Sequence, residues 1–295
     1  MKELLFLGAG PQTVAALKRL EESSAKLPPA SDAPAANAVT PKYVQPPPPS
    51  SDDQRALLGE VRQYALNYSD SLPDFLCIQV TRRSVDPHYQ SGGEPSWSPS
   101  DRIVERLSYF DKQEKYEAVP MNGKPALGKN RDALGGSISS GEFGSLLRDV
   151  FEPDTEAGFE WDHWGRWDED LCYVFRYRID RLHSRYSVDY EHRDKLSPAY
   201  HGLVYVRQKA PHVVIRLTIE PDVPGTFPMQ DIHQAINYKY VEIGGNSYLL
   251  PANSSVQSRA GHVGNLNEID FRQYRKYSAD TKITFDDGDE TPKKP

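Results

Sequence analysis

From Phe75 onward, short segments rich in β-branched and aromatic residues follow one another with turn signals between them, and this succession restricts the fold more than any other feature of the chain. FLCIQVTRR, RIVERLSYFD, KYEAVP, LCYVFRYRID, RYSVDYEHR, LVYVRQ, HVVIRLTIE, INYKYVEI, SYLLP, EIDFRQYRKY and KITF all have the composition of strands. In the second of them Ile103, Glu105, Leu107 and Tyr109 share one face, while Val104, Arg106, Ser108 and Phe110 share the other. Met121-Asn122-Gly123-Lys124 and Gly244-Gly245-Asn246 are hairpin turns by their chemistry. A parallel sheet needs a crossover helix between successive strands, and the pattern offers none after residue 152. The expected fold is therefore mainly β within an α+β class: a large, strongly curved antiparallel sheet with two or three packed helices.

Two amphipathic stretches supply helices, one near 53–70 and one near 141–151. In DDQRALLGEVRQYALNYSDSLPDF the apolar residues Leu57, Leu58, Val61, Ala65, Tyr68 and Leu72 fall on one helical face, with Asp52 and Asp53 at the start and Pro73 as the stop. In GEFGSLLRDVFEP the stripe is Phe143, Leu146, Leu147 and Val150. Upstream, LPPASDAPAANAVTPKYVQPPPPSS is so poor in large apolar side chains that it cannot offset the entropy of folding. The expected organisation is a short helical segment over 1–26, a disordered linker over 27–51, one curved β domain over 52–286 and a disordered tail over 287–295.

The chain has 295 residues, 38% of them hydrophobic, enough for a sizeable core. Its net charge is −7, with Lys and Arg scattered among 42 acidic residues, so there is no basic stripe of the kind nucleic-acid binding requires. No apolar run reaches the roughly 20 residues of a membrane-spanning helix. Met1 opens directly into an apolar, helix-like pattern, which reads as a start cut short, and nothing in it is an export signal.

Several motifs come close to known chemistry and fail on a specific position. Gly8-Ala9-Gly10-Pro11 has the first two glycines of a dinucleotide-binding turn, but Thr13 takes the third place, and the window for the acidic ribose-binding residue is proline-rich coil. GKPALGKN ends in Asn130 where a phosphate loop needs Ser or Thr. Eight histidines show no HxH or HExxH spacing, so neither a cofactor nor a metal is assigned. Asn67-Tyr68-Ser69 and Asn253-Ser254-Ser255 fit glycosylation acceptors should the chain be secreted from a eukaryotic cell. Cys77 and Cys172, both in strand-like segments, are either two buried thiols or a disulfide tying distant strands.

WDHWGRWDED concentrates Trp161, Trp164 and Trp167 beside Asp162, His163 and Asp168. The tryptophans either seal one end of the sheet or line an apolar ligand pocket. Asp162 or Asp168 orienting His163 as a base would make a hydrolase, but no nucleophile elbow accompanies them, and no catalytic residue is assigned.

GLVYVRQKAPHVVIRLTIEPDVP, INYKYVEIGGNSYLLP and NEIDFRQYRKY, with Phe271, Tyr274 and Arg275 in the returning strand, resemble the repeating hairpins of the outer-membrane lipoprotein-sorting (LolA-like) carriers and related bacterial envelope proteins, mainly over residues 200–278. The resemblance implies an incomplete barrel lidded by helices, able to accept an acyl chain without catalysis. It also implies residence in the periplasm or cell envelope, with an export signal upstream. No functional residue of those carriers is matched by position. The leading expectation is a non-enzymatic envelope protein that binds an apolar small molecule, a lipid or a lipidated protein. A structural module whose residues 1–51 capture a protein partner is the alternative, and a hydrolase comes last.

Overall fold

The protein is described from a computed structural model, which places residues 46–119, 143 and 145–277. The chain divides into two compact units, residues 1–45 and 46–295, and every described residue belongs to the second. The glycine turn at 8–11, the GKPALGKN loop and the KITF segment lie outside the described residues.

Helix α1 (Ser51–Ser71) comes first. Ser50 caps it, its Oγ accepting from the Asp53 amide at 3.2 Å and donating to the Asp53 carboxylate at 2.6 Å, while Asp52 and Asp53 favour the positive end of the helix dipole. The helix stops at Leu72, which precedes Pro73 and is extended. Strands β1 (Phe75–Asp86), β2 (Ser98–Phe110) and β3 (Gln113–Ala118) follow, then helix α2 (Ser145–Phe151). Next come β4 (Gly158–Trp167) and β5 (Asp170–Ile179), and then a small separate hairpin, β6 (Val188–Tyr190) and β7 (Asp194–Leu196). The chain continues through β8 (Tyr200–Arg207), β9 (Val214–Pro221), β10 (Met229–Ile243), β11 (Asn246–Ala260) and β12 (Val263–Lys276).

Ten of these strands make one sheet in the order β3-β2-β1-β12-β11-β10-β9-β8-β5-β4, and every neighbouring pair is antiparallel. Among the described residues the sheet does not close, and β3 and β4 are its two edges. It is the expected open antiparallel architecture, with the two helices on it. The longest hairpin, β10–β11, turns through Gly244 and Gly245, both at positive φ (60° and 85°), as a two-residue turn matching strand twist requires.

The sheet has two chemically distinct faces, and register shows it directly. One row of cross-strand partners runs Trp161, Phe175, Val204, Leu217, Ile236, Ser254, Ile269, Thr81 and Ile103 across nine strands. The row beside it runs His163, Val174, Tyr205, Arg216, Asn237, Asn253, Asp270, Val80 and Val104. The first, mostly apolar, faces α1 and is here called the inner face; the second is mixed. Leu57, Val61, Ala65 and Tyr68 of α1 are buried with Phe175, Val204, Leu217 and Ile236, and Leu147, Val150 and Phe151 of α2 join the same cluster. Full burial of a side chain such as Val61 contributes about 1.5–3 kcal/mol. Tyr68 adds a fixed point, its hydroxyl donating to the Leu249 carbonyl at 2.8 Å. A second cluster, around Phe75, Cys77, Leu107, Phe143 and Phe271, fills the inner face at β1, β2 and β12.

The cysteines require a correction of the disulfide alternative. Both are free and buried, Cys77 on β1 and Cys172 on β5, in different clusters with β12, β11, β10, β9 and β8 between their strands. Burial raises both thiol pKa values, that of Cys172 to about 11, which keeps the reactive thiolate scarce. Denatured protein is expected to take up two equivalents of a thiol reagent while native protein reacts slowly, and intact mass should not change with reductant; a reductant-dependent gain of two hydrogens refutes the free-thiol state.

Gly202 has a different role. The Thr218 carbonyl turns toward the place where a Cβ would stand and accepts a hydrogen bond from Tyr177 Oη at 2.8 Å, while the Leu203 amide donates to Thr218 Oγ1 at 2.8 Å. Side chains thus replace ladder hydrogen bonds between β8 and β9. Gly202→Ala drives a methyl group into backbone that cannot swing aside, and denaturant titration should show a loss of about 3 kcal/mol or more; a loss below about 1 kcal/mol would contradict this account.

Candidate functional site

The tryptophan-rich segment is itself a strand. It forms β4, an edge of the large sheet, a placement that neither the end-sealing nor the pocket-lining expectation included. Its pairing with β5 is regular except for a bulge at Asp162, where the register passes from Trp161↔Phe175 to His163↔Val174. Strand side chains alternate faces, so residues three apart ordinarily point oppositely; one inserted residue restores them to the same side. Trp161 and Trp164 therefore both lie on the inner face, their rings 5.2 Å apart and nearly perpendicular. Trp164 also lies 4.6 Å from the Tyr173 ring, and Trp161 5.7 Å from Phe175.

Of these rings Trp164 and Tyr173 line a cleft of about 390 Å³, which Trp161 and Phe175 do not reach. Trp164, Tyr173 and His212 stand on the sheet side; Pro49, Asp53, Ala56, Leu57 and Glu60, from the start of α1 and the residues before it, stand opposite. Trp164 Nε1 crosses the cleft to donate to the Pro47 carbonyl at 3.1 Å. The cleft thus has an aromatic and aliphatic floor with two carboxylates on the helix side. Residues 46–51, part of the expected linker, include this contact and the beginning of α1, because Ser50 and Asp53 cap the helix there.

Trp167 is separated from the other two. It lies on the opposite face, where the Arg216 guanidinium sits 4.0 Å above its ring and 5.8 Å from that of Tyr205. Arg216 donates to Asn237 Oδ1 at 2.7 Å, and Asn237 Nδ2 donates to Asn253 Oδ1 at 2.6 Å, so Asn253 is tied into the sheet rather than presented as a glycan acceptor. Burial lowers the Arg216 pKa from its ordinary value.

The structure also divides the acid–base group. Asp162 Oδ2 lies 2.6 Å from His163 Nδ1, and the same carboxylate holds Arg176. Asp168 is in the β4–β5 turn and pairs instead with Lys239 at 3.1 Å. Among the described residues no serine, threonine or cysteine is hydrogen-bonded to His163, and no group of three or more His, Cys, Asp or Glu side chains could hold a metal. Asp162 is thus ion-paired with Arg176 and in hydrogen-bond contact with the partly exposed His163.

Tyr173, His212, Pro47 and Pro49 were not candidates in the sequence. The Trp164–Pro47 contact spans 117 positions, and no local signal reports a pairing at that distance.

No known family model matches the sequence, and no curated protein matches it. Solved structures that align with this chain include three of low similarity. A LolA superfamily protein from Nitrosomonas europaea is 9% identical with a TM-score of 0.32, covering 76% of this chain and 93% of that one. A putative outer membrane lipoprotein-sorting protein domain from Vibrio parahaemolyticus is 10% identical with a TM-score of 0.33, covering 75% and 92%. Mycobacterium tuberculosis lipoprotein LppX is 11% identical with a TM-score of 0.30, covering 76% and 97%. At these values the three similarities identify no ligand and no shared residue for this chain.

Proposed function

We propose that this protein is a non-enzymatic binder of an apolar ligand, a lipid or the acyl group of a lipidated partner, taken up on the inner face of the open sheet, and that it works in a bacterial cell envelope. The observation that carries this reading is the sidedness of the sheet: a row of nine cross-strand partners that is apolar except at Ser254 and Thr81, ending at an unpaired edge with Trp161. Beneath α1 that face is filled by the helix itself, with Val61 and Ala65 fully buried. An acyl chain therefore enters by replacing α1 side chains, starting from the cleft between the helix and β4. Such an exchange costs little net free energy, since one apolar surface replaces another at about 25 cal/mol per Å². Among the described residues no helix is long and apolar enough to cross a membrane.

The aromatic residues on the two faces provide the test. Titrated with a long-chain fluorescent fatty acid, Trp161→Leu should bind about 3- to 10-fold more weakly than the native chain, and Trp167→Leu, on the other face, should bind equally well. Lipid extraction and mass spectrometry of the native protein should recover acyl compounds at near-stoichiometric amounts. No saturable binding by the native chain, or equal loss in both variants, defeats the reading. The alternative, a module that captures a protein through residues 1–51, predicts instead that removing residues 1–45 abolishes capture, whereas acyl binding survives that deletion.

A further inference from the structure

We propose that the aromatic surface at the β4 edge is a recognition site for polyproline-II segments, contacted in this chain by its own residues 46–49, which stand across the cleft from it, and able to take a proline-rich peptide from another molecule. The inference does not depend on acyl binding.

The occupant is Pro46-Pro47-Pro48-Pro49. Each ring holds φ near −65°, and each of the first three prolines precedes another, which disfavours the helical region. Ser50 continues the same conformation at φ −60° and ψ 158°. A polyproline-II helix has three residues per turn and no internal hydrogen bonds, so every third side chain shares a face and every carbonyl needs an outside donor. Both properties appear here. Pro46 and Pro49 are half-buried while Pro47 and Pro48 between them are exposed, so one face of the three-fold helix is seated. The Pro47 carbonyl receives the Trp164 indole N–H at 3.1 Å.

The receiving surface has matching chemistry. Trp164 and Tyr173, tilted 40° to each other with centroids 4.6 Å apart, give the flat apolar walls on which proline rings pack, and Pro49 lines the same cleft with the first turns of α1. Grooves of aromatic residues with a hydrogen-bond donor aimed at a proline carbonyl are the general means of reading this conformation, because a pre-formed helix loses little entropy on docking. Asp53 and Glu60 on the far side of the cleft make the rim acidic. The peptide that fits is therefore proline-rich with a lysine or arginine close by, and a chain such as KYVQPPPPSS from this protein has both features. The tethered copy competes at an effective concentration in the mM range, so the site opens to outside peptides only when the tether is released or outcompeted.

The test uses the full chain carrying Pro46→Gly, Pro47→Ser, Pro48→Gly and Pro49→Ser, titrated with synthetic KYVQPPPPSS by calorimetry and by the Trp164 indole N–H resonance. Saturable binding with a shift of that resonance is expected, and Trp164→Phe in the same background should weaken it about 3- to 10-fold. A peptide with its four prolines replaced by alanine should not saturate the site. No saturable binding, or equal binding of the alanine peptide, overturns the proposal. Should the substituted chain not fold, the native chain titrated with peptide well above mM concentration serves instead: displacement of the Trp164 indole resonance supports the site and its absence refutes it.

Discussion

The pairing of β1 with β12 is the interaction on which the rest of the structure depends. From β4 to β12 the chain proceeds largely by neighbour-to-neighbour hairpins, which local turn chemistry can organise. β1 to β3 form a second short run at the opposite end of the sequence. Eleven register pairs, from Phe75↔Lys276 to Asp86↔Gly264, join the two runs into one ten-stranded sheet. Closing so long a loop is entropically costly, and the aromatic cluster of Phe75, Phe143, Phe271 and Tyr274 is where apolar contacts offset that cost. Because β1 enters directly after α1, the same pairing fixes where the helix leaves the sheet, and so where it lies.

Once the sheet is joined, its period of two decides what each face can do. Adjacent rows differ by a single position in every strand but β4, yet one is mostly apolar and carries the helices while the other carries Arg216, Asn237, Asn253 and Asp270 in line. The bulge at Asp162 is the local exception: by inserting one residue into an edge strand it gathers Trp161 and Trp164 onto the inner face and leaves Trp167 against Arg216. Edge strands tolerate such an insertion because only one neighbour has to accommodate it. The three tryptophans therefore serve two different surfaces.

The edge location also explains how a proline-rich segment comes to be part of the site. An edge strand presents its side chains to whatever runs alongside, and a run of prolines, which cannot extend the ladder, borders the cleft and accepts a single hydrogen bond at the Pro47 carbonyl instead. Its attachment to the N-terminus of α1 places that contact where the helix meets the cleft, so one short segment both leads into the helix and ties it to the aromatic wall.

Composition and alternation alone determined that this chain forms an open antiparallel sheet with amphipathic helices upon it, because a strand's period, a hairpin's glycines and a helix's apolar stripe are each written within a dozen residues. The same local reasoning located α1, since Asp52 and Asp53 at its start and Pro73 at its end are signals in their own right, while the Ser50 cap fell within the expected linker. It did not recognise β4: three tryptophans among charged residues break strict alternation, and the bulge that reconciles them is visible only against the partner strand. Whether Cys77 and Cys172 meet, which tryptophans share a face, and that Pro47 lies against Trp164 were decided by tertiary structure alone, because each depends on the order of strands in the sheet, a long-range property that no stretch of sequence carries by itself.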